Sequence, residues 1–249
     1  MSDYNRGFTR PIAAPADMAV DAGLRAFMLG VYNKLAVGLL VSAALAFLSA
    51  FVPEVRDLFF AVDSEGRAVG VTALGQALQW APLAIILISM FAMRNPSPRS
   101  ASALYWTLVS VIGLWLGVVM LIYTGASVAT TFLITAASFG ALSLVGYTTK
   151  KDLTGLGSFL IMGMFGIFFA SLANMFFHIA GLAFIINVLG VLIFSGLIAY
   201  DTQRLKLTYY QLGGNEAAMG VATSYGALNL YLNFINLFLF LLRFTGGRR

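Results

Sequence analysis

The chain has 249 residues, of which 60% are hydrophobic and 10% charged, with a formal net charge of +5. Soluble globular domains carry about 25% charged residues, so this is the composition of an integral membrane protein. Cysteine is absent and His178 is the single histidine, which excludes disulfides, thiolate or His-rich metal sites and most histidine-based acid–base chemistry; the scattered positive charge is a topology signal rather than a nucleic-acid footprint.

Residues 1 to 24 form a polar tail containing Asp3, Arg6, Arg10, Asp17 and Asp21. No apolar core follows its first basic residues, so it is not a cleavable signal peptide. The remainder, residues 25 to 249, reads as one helical membrane domain. A spanning helix needs about 20 mostly apolar residues, and seven runs meet that requirement. The first covers Asn33 to Val52 and ends at Pro53. The second covers Ala73 to Met93 and ends at Arg94-Asn95-Pro96. The third runs from Ala101 to Tyr123 and the fourth from Ala126 to Tyr147, followed by the polar turn Lys150-Lys151-Asp152. The fifth runs from Thr154 to Phe177, the sixth from Gly181 to Tyr200 and the seventh from Tyr225 to Leu242.

The first long loop carries Glu54, Asp57, Asp63 and Glu65 against Arg56 and Arg67, a net charge of −2. The loops after spans two, four and six carry Arg94, Arg99, Lys150, Lys151, Arg204 and Lys206 against Asp152 and Glu216. The positive-inside rule therefore places these loops and the N-terminus in the cytoplasm. Small residues at a spacing of four, Gly113 with Gly117, Ala136 with Gly140 and Gly166 with Ala170, suit close helix approach.

Two features point to function. Asp201 closes the sixth run and is the only acid in or bordering any of the seven. A carboxylate at membrane depth costs about 2.5 to 3.5 kcal/mol on insertion scales, so it needs a partner. Arg94, at the end of the second run on the same predicted side, is the expected one. The seventh run carries Asn229, Asn233 and Asn236, at offsets of four and three that share one helical face. A polar face cannot meet lipid comfortably, so this helix is expected to be enclosed, its amides serving as interhelical bonds or as the lining of a polar route. An intramembrane hydrolase is not supported: Ser158 and His178 lie at different levels and no acid is placed to orient the histidine, so the chain is not expected to be an enzyme.

Tyr200-Asp201-Thr202-Gln203 after the sixth run, with Leu230-Tyr231-Leu232-Asn233-Phe234-Ile235-Asn236-Leu237-Phe238 in the seventh, resembles the Bax inhibitor-1, or transmembrane Bax-inhibitor-motif, family in its bacterial YccA-like branch. The resemblance extends from about Tyr32 to Phe244. It implies an all-α integral membrane fold of seven transmembrane helices, six surrounding a central seventh, in a bacterial inner membrane with the N-terminus cytoplasmic. It further implies a pH-sensitive calcium leak in which two aspartates, on helices six and seven, share protons and an arginine ending helix two latches to them. Asp201 matches the first aspartate and Arg94 the arginine, while Asn233 stands at the second aspartate's position. Asn229 and Asn236 are pore-lining candidates. Asp201 is a weak Ca²⁺ ligand, because calcium prefers several charged oxygens. No cofactor is expected beyond Ca²⁺ as a transported ion. The alternative implied function is regulation of a membrane-bound ATP-dependent protease through the polar tail. Partners are the bilayer, a cation and that protease, with no nucleic acid.

Overall fold

The computed structural model describes residues 15–65, 68–179 and 181–248. In chain order, α1 (Pro15–Phe51) is followed by the short α2 (Pro53–Phe59) and a hairpin of β1 (Phe60–Val62) and β2 (Ala68–Val71). Then come α3 (Ala73–Ala92), α4 (Pro98–Trp115), α5 (Gly117–Ile122), α6 (Gly125–Thr148), α7 (Thr154–Phe177), α8 (Leu182–Leu212) and α9 (Glu216–Thr245). Among the described residues seven helices are long and apolar enough to cross a membrane, α4 and α5 together forming the third. The architecture is all-α within the spans. The antiparallel pair β1–β2 lies in the loop after the first span, which the sequence reading treated only as charged loop.

Local chemistry sets the helix ends. Thr72 accepts the Gly75 N–H at 3.1 Å to start α3. Ser97 and Ser100 form a reciprocal capping box ahead of α4, with Pro98 in the first turn, where its missing N–H costs nothing. Asn215 accepts the Ala218 N–H at 3.1 Å to start α9, and Glu216 in that first turn complements the helix dipole. At the other extreme, α7 stops where His178 takes a left-handed conformation, φ 47°. The lone histidine is thus an exposed helix terminator.

Three boundaries differ from the hydropathy runs. The apolar part of α1 begins at Ala22, α8 continues to Leu212 and α9 begins at Glu216. Hydropathy marks where an apolar run ends, whereas a helix ends at a breaker. No glycine or proline follows Tyr200 until Gly213-Gly214, both at positive φ, so α8 carries its helical geometry through Arg204 and Lys206.

The seventh span is the most enclosed. Its apolar window is 67% buried, against 50% for α4–α5 and 33% or less for every other span. It packs against α1, α4, α6 and α8, while α3 leans on α4 and α7 on α8. Buried Leu230, Tyr231, Phe234, Leu237 and Leu242 carry α9 through the core.

Of the three small-residue pairs, one brings helices together. A Cβ on Gly113 would lie 2.8 Å from the Ser42 Cα, and Gly117 meets the Ser49 side chain, so α4 lies backbone-close to α1. Gly140 and Gly166 face open space. The close contact between α6 and α8 uses Gly146 against the Ala199 backbone instead. Gly113→Leu should therefore force α1 from α4 and cost about 1–3 kcal/mol of overpacking, whereas Gly140→Leu should be tolerated. Thermal unfolding in one detergent compares them; equal melting temperatures would show that the α1–α4 approach is not tight.

Candidate functional site

The polar site is built by the antiparallel hairpin of α8 and α9, joined across Gly213-Gly214. Because α8 runs on to Leu212, Asp201 lies eleven residues before its end, about 16 Å at 1.5 Å per residue. Asp201 is therefore a mid-helix residue, part-buried against α9, and not the helix-end residue that the apolar run suggested.

The Asn233 Nδ2 donates to Asp201 Oδ2 at 2.7 Å. Asn233 is 6% exposed, so this bond gives the Asp201 carboxyl a partner where water cannot freely provide one. Beside it a cavity of about 150 Å³ opens between the two helices. Asp201, Arg204 and Thr208 line it from α8; Tyr225 and Asn229 line it from α9. Arg204 lines the same cavity one helical turn further along α8. The site thus combines one carboxylate, one fixed amide donor, one accessible amide and one cation on two facing helices.

The other expected members are placed differently. Asn236 donates to the Leu232 carbonyl of its own helix at 2.8 Å and does not reach Asp201. Arg94 is exposed just beyond α3, and no salt bridge joins it to Asp201; among the described residues the ion pair is Arg56–Asp57, 2.8 Å. Both helices run the same way through a seven-span bundle, so chain parity does put their ends on one side. They stay apart because α3, the least buried span, packs on α4 and α2. The expected Arg94–Asp201 pair is therefore not formed, and the partner Asp201 has instead is the Asn233 amide. Ser158 donates to the Thr154 carbonyl of its own helix at 3.3 Å.

α1 carries a further charged residue within its apolar part. Lys34 is the thirteenth residue of the apolar part of α1. Its Nζ donates to Ser102 Oγ at 2.9 Å and Ser224 Oγ at 2.8 Å. The same Nζ lies 5.2 Å from the Tyr105 ring centroid. The Tyr105 hydroxyl donates to the Lys34 carbonyl at 2.7 Å, and Ser42 and Tyr231 hydroxyls bond at 2.7 Å further along. These contacts tie α1, α4 and α9 along a second polar seam. Ser224 and Tyr231 are seven residues apart and share one face of α9, whereas Asn233 lies nearly opposite Ser224 on a 100°-per-residue wheel. The signal was present: Lys34 is the sole charge between Asn33 and Val52, but its nearness to the start of that run gave it the look of a flank.

The oxygens around Asp201 are those of one carboxylate and neighbouring amides. Among the described residues no three Asp, Glu, His or Cys side chains cluster as metal ligands do. That donor set is poorer than the six to eight oxygens Ca²⁺ usually takes.

Comparison with known proteins places these features in a lineage. The family described as inhibitor of apoptosis-promoting Bax1 matches residues 24–249. The chain is 64% identical to a protein of Caulobacter vibrioides over the whole of both chains. It is 39% identical to protein RP147 of Rickettsia prowazekii, again over the whole of both. It is also 39% identical to the inner membrane protein YbhL of Escherichia coli K12, across 92% of this chain and 94% of that one.

Proposed function

The chain belongs to the Bax inhibitor family, and from that premise we propose that it is a multi-pass protein of a bacterial inner membrane that lets cations, Ca²⁺ among them, leak passively under the control of pH. The observation that carries this reading is the 2.7 Å bond from Asn233 to Asp201. It makes a single ionisable group a polar link between α8 and α9, the most enclosed helix, within an interface otherwise packed by apolar contacts such as Phe194 on Phe240. Protonating that carboxyl removes the charge that strengthens the bond and turns one acceptor oxygen into a hydroxyl. The contact between α8 and α9 therefore weakens or strengthens as Asp201 titrates. A cation in transit would use the carboxylate and the Asn229 and Asn233 amides as successive oxygen ligands, each weak enough to release it. With one carboxylate in place of two, a lower preference for Ca²⁺ over monovalent cations follows.

The test is flux from liposomes that contain the purified protein alone, with Ca²⁺ and K⁺ followed across about pH 5 to 9, the range over which perturbed carboxyls titrate. Protein-dependent flux that changes with pH is the expected result. No flux above protein-free liposomes at any pH would overturn it. It would leave the regulatory reading, in which the chain acts on a membrane-bound ATP-dependent protease through its N-terminal tail; residues 1–14 of that tail lie outside the described residues.

A further inference from the structure

A second cavity lies away from the α8–α9 seam. α1 and α6 both pack on α9, yet between them they leave a groove of about 530 Å³. Its floor is mostly apolar, with buried Met28 and Phe139 beside the buried Ser143. Its rims, Leu29 and Leu144, are exposed by 50% and 63%, as suits side chains that meet acyl chains. Gly140 lies in its α6 wall, where a Cβ would meet nothing within 4 Å. The missing side chain is what keeps the groove wide at this level.

The two ends differ. Arg25, three residues into the apolar part of α1, and Tyr147, next to last in α6, line one end. Tyr32 and Phe139 line the other, about 10 to 12 Å deeper by helical rise. Basic side chains lie at the outer end. Lys206 places its Nζ 3.4 Å from the Tyr147 carbonyl oxygen and 5.3 Å from that ring's centroid. Lys150 and Lys151 follow directly after α6, with Asp152 as the acid of that turn. Hydrogen bonding from Thr154 holds the Asp152 carboxyl below the usual range and so negatively charged, which leaves the turn with a net charge of +1 from Lys150, Lys151 and Asp152. No carboxylate pairs with Arg25 among the described residues.

We propose that this groove binds one anionic diacyl phospholipid, an acyl chain lying along Gly140 and Leu144 and the headgroup phosphate held by Arg25 and Lys206. Charge complementarity selects this occupant. Basic pockets between spanning helices recognise anionic headgroups, and an apolar slot that opens sideways to the bilayer is reached by a lipid chain without leaving the membrane. The site is independent of ion flux and stands whether or not the protein conducts.

The test incubates the purified full chain with phosphatidylglycerol or phosphatidylcholine in detergent and reads retained lipid by native mass spectrometry. Each arginine or lysine close to an anionic lipid contributes a factor of about five. The wild type should retain phosphatidylglycerol in preference to phosphatidylcholine. Arg25→Gln should lower that preference about fivefold and leave phosphatidylcholine retention unchanged. Gly140→Phe should fill the slot and remove retention of both lipids, while Gly140→Ala keeps it. Equal retention of the two lipids by the wild type, or the same phosphatidylglycerol load on wild type and Arg25→Gln, would mean annular lipid only and would overturn the site. The Arg25→Gln arm decides the question even if Gly140→Phe fails to fold.

Discussion

Asp201→Asn should give a protein whose ion flux no longer changes with pH and equals at every pH the level that the wild type reaches in acid. The side chains facing residue 201 are Asn233 from α9, with Asn229 and Tyr225 lining the adjoining cavity, and Arg204 on its own helix. The carboxyl is therefore the titrating group of this seam, and asparagine resembles its protonated form in shape and charge. The cost to the fold is bounded. A hydrogen bond to a charged group contributes about 1.5–3 kcal/mol and a neutral one about 0.5–1.5, but the neutral amide escapes much of the cost of holding a carboxylate at membrane depth, about 2.5–3.5 kcal/mol, so the variant should fold with little net change in stability. Asp201→Leu is the harsher change. It leaves the buried Asn233 amide without its acceptor, an unsatisfied group that costs about 1–3 kcal/mol. Flux from liposomes and thermal unfolding of the same preparations separate the two effects. If Asp201→Asn keeps the wild-type pH profile, another group is the sensor and the α8–α9 contact is only structural.

Much of this site is legible in the sequence because membranes make polarity informative. An acid at the end of an apolar run needs a partner, and three asparagines on one face of a spanning helix need an enclosed side. Asp201 and Asn233 answer each other for that reason, and α9 is the most buried span. The same logic failed where it depended on where helices go rather than on what they contain. Arg94 shares a membrane side with the end of α8 but not a neighbourhood, since α3 packs outward on α4 and α2. Lys34 was visible as a charge, yet its depth follows from α1 starting well before the hydropathy run, through a stretch that includes Gly23, Arg25 and Gly30. Gly113 and Gly140 show the limit most directly. Each sits in a small-residue pair spaced by four, but one is pressed on the Ser42 backbone and the other opens a groove. Spacing permits close approach; only the arrangement of all the helices decides where it happens.

Asn233→Asp should convert the single-site response into that of a coupled pair. The amide now stands 2.7 Å from a carboxylate oxygen. A second carboxyl at that place cannot ionise together with Asp201 without a penalty: two unit charges 4 Å apart interact by about 4 kcal/mol at an effective dielectric of about 20. One proton is therefore shared, and it takes over the bridging role of the lost amide hydrogen, as between paired acids generally. Loss of that last proton would break the bridge and set two carboxylates against each other, so α8 should part from α9 as pH rises through the second step. The flux profile should show two macroscopic steps where the wild type shows one. Ca²⁺ should compete more strongly with K⁺ in the variant, because two carboxylates make a better oxygen site than a carboxylate and an amide. Wild type and variant in matched liposomes, titrated over the same range with each ion, make the comparison. Superimposable profiles would show that residue 233 does not communicate with Asp201 in the conducting state, and that the bond between them plays no part in gating.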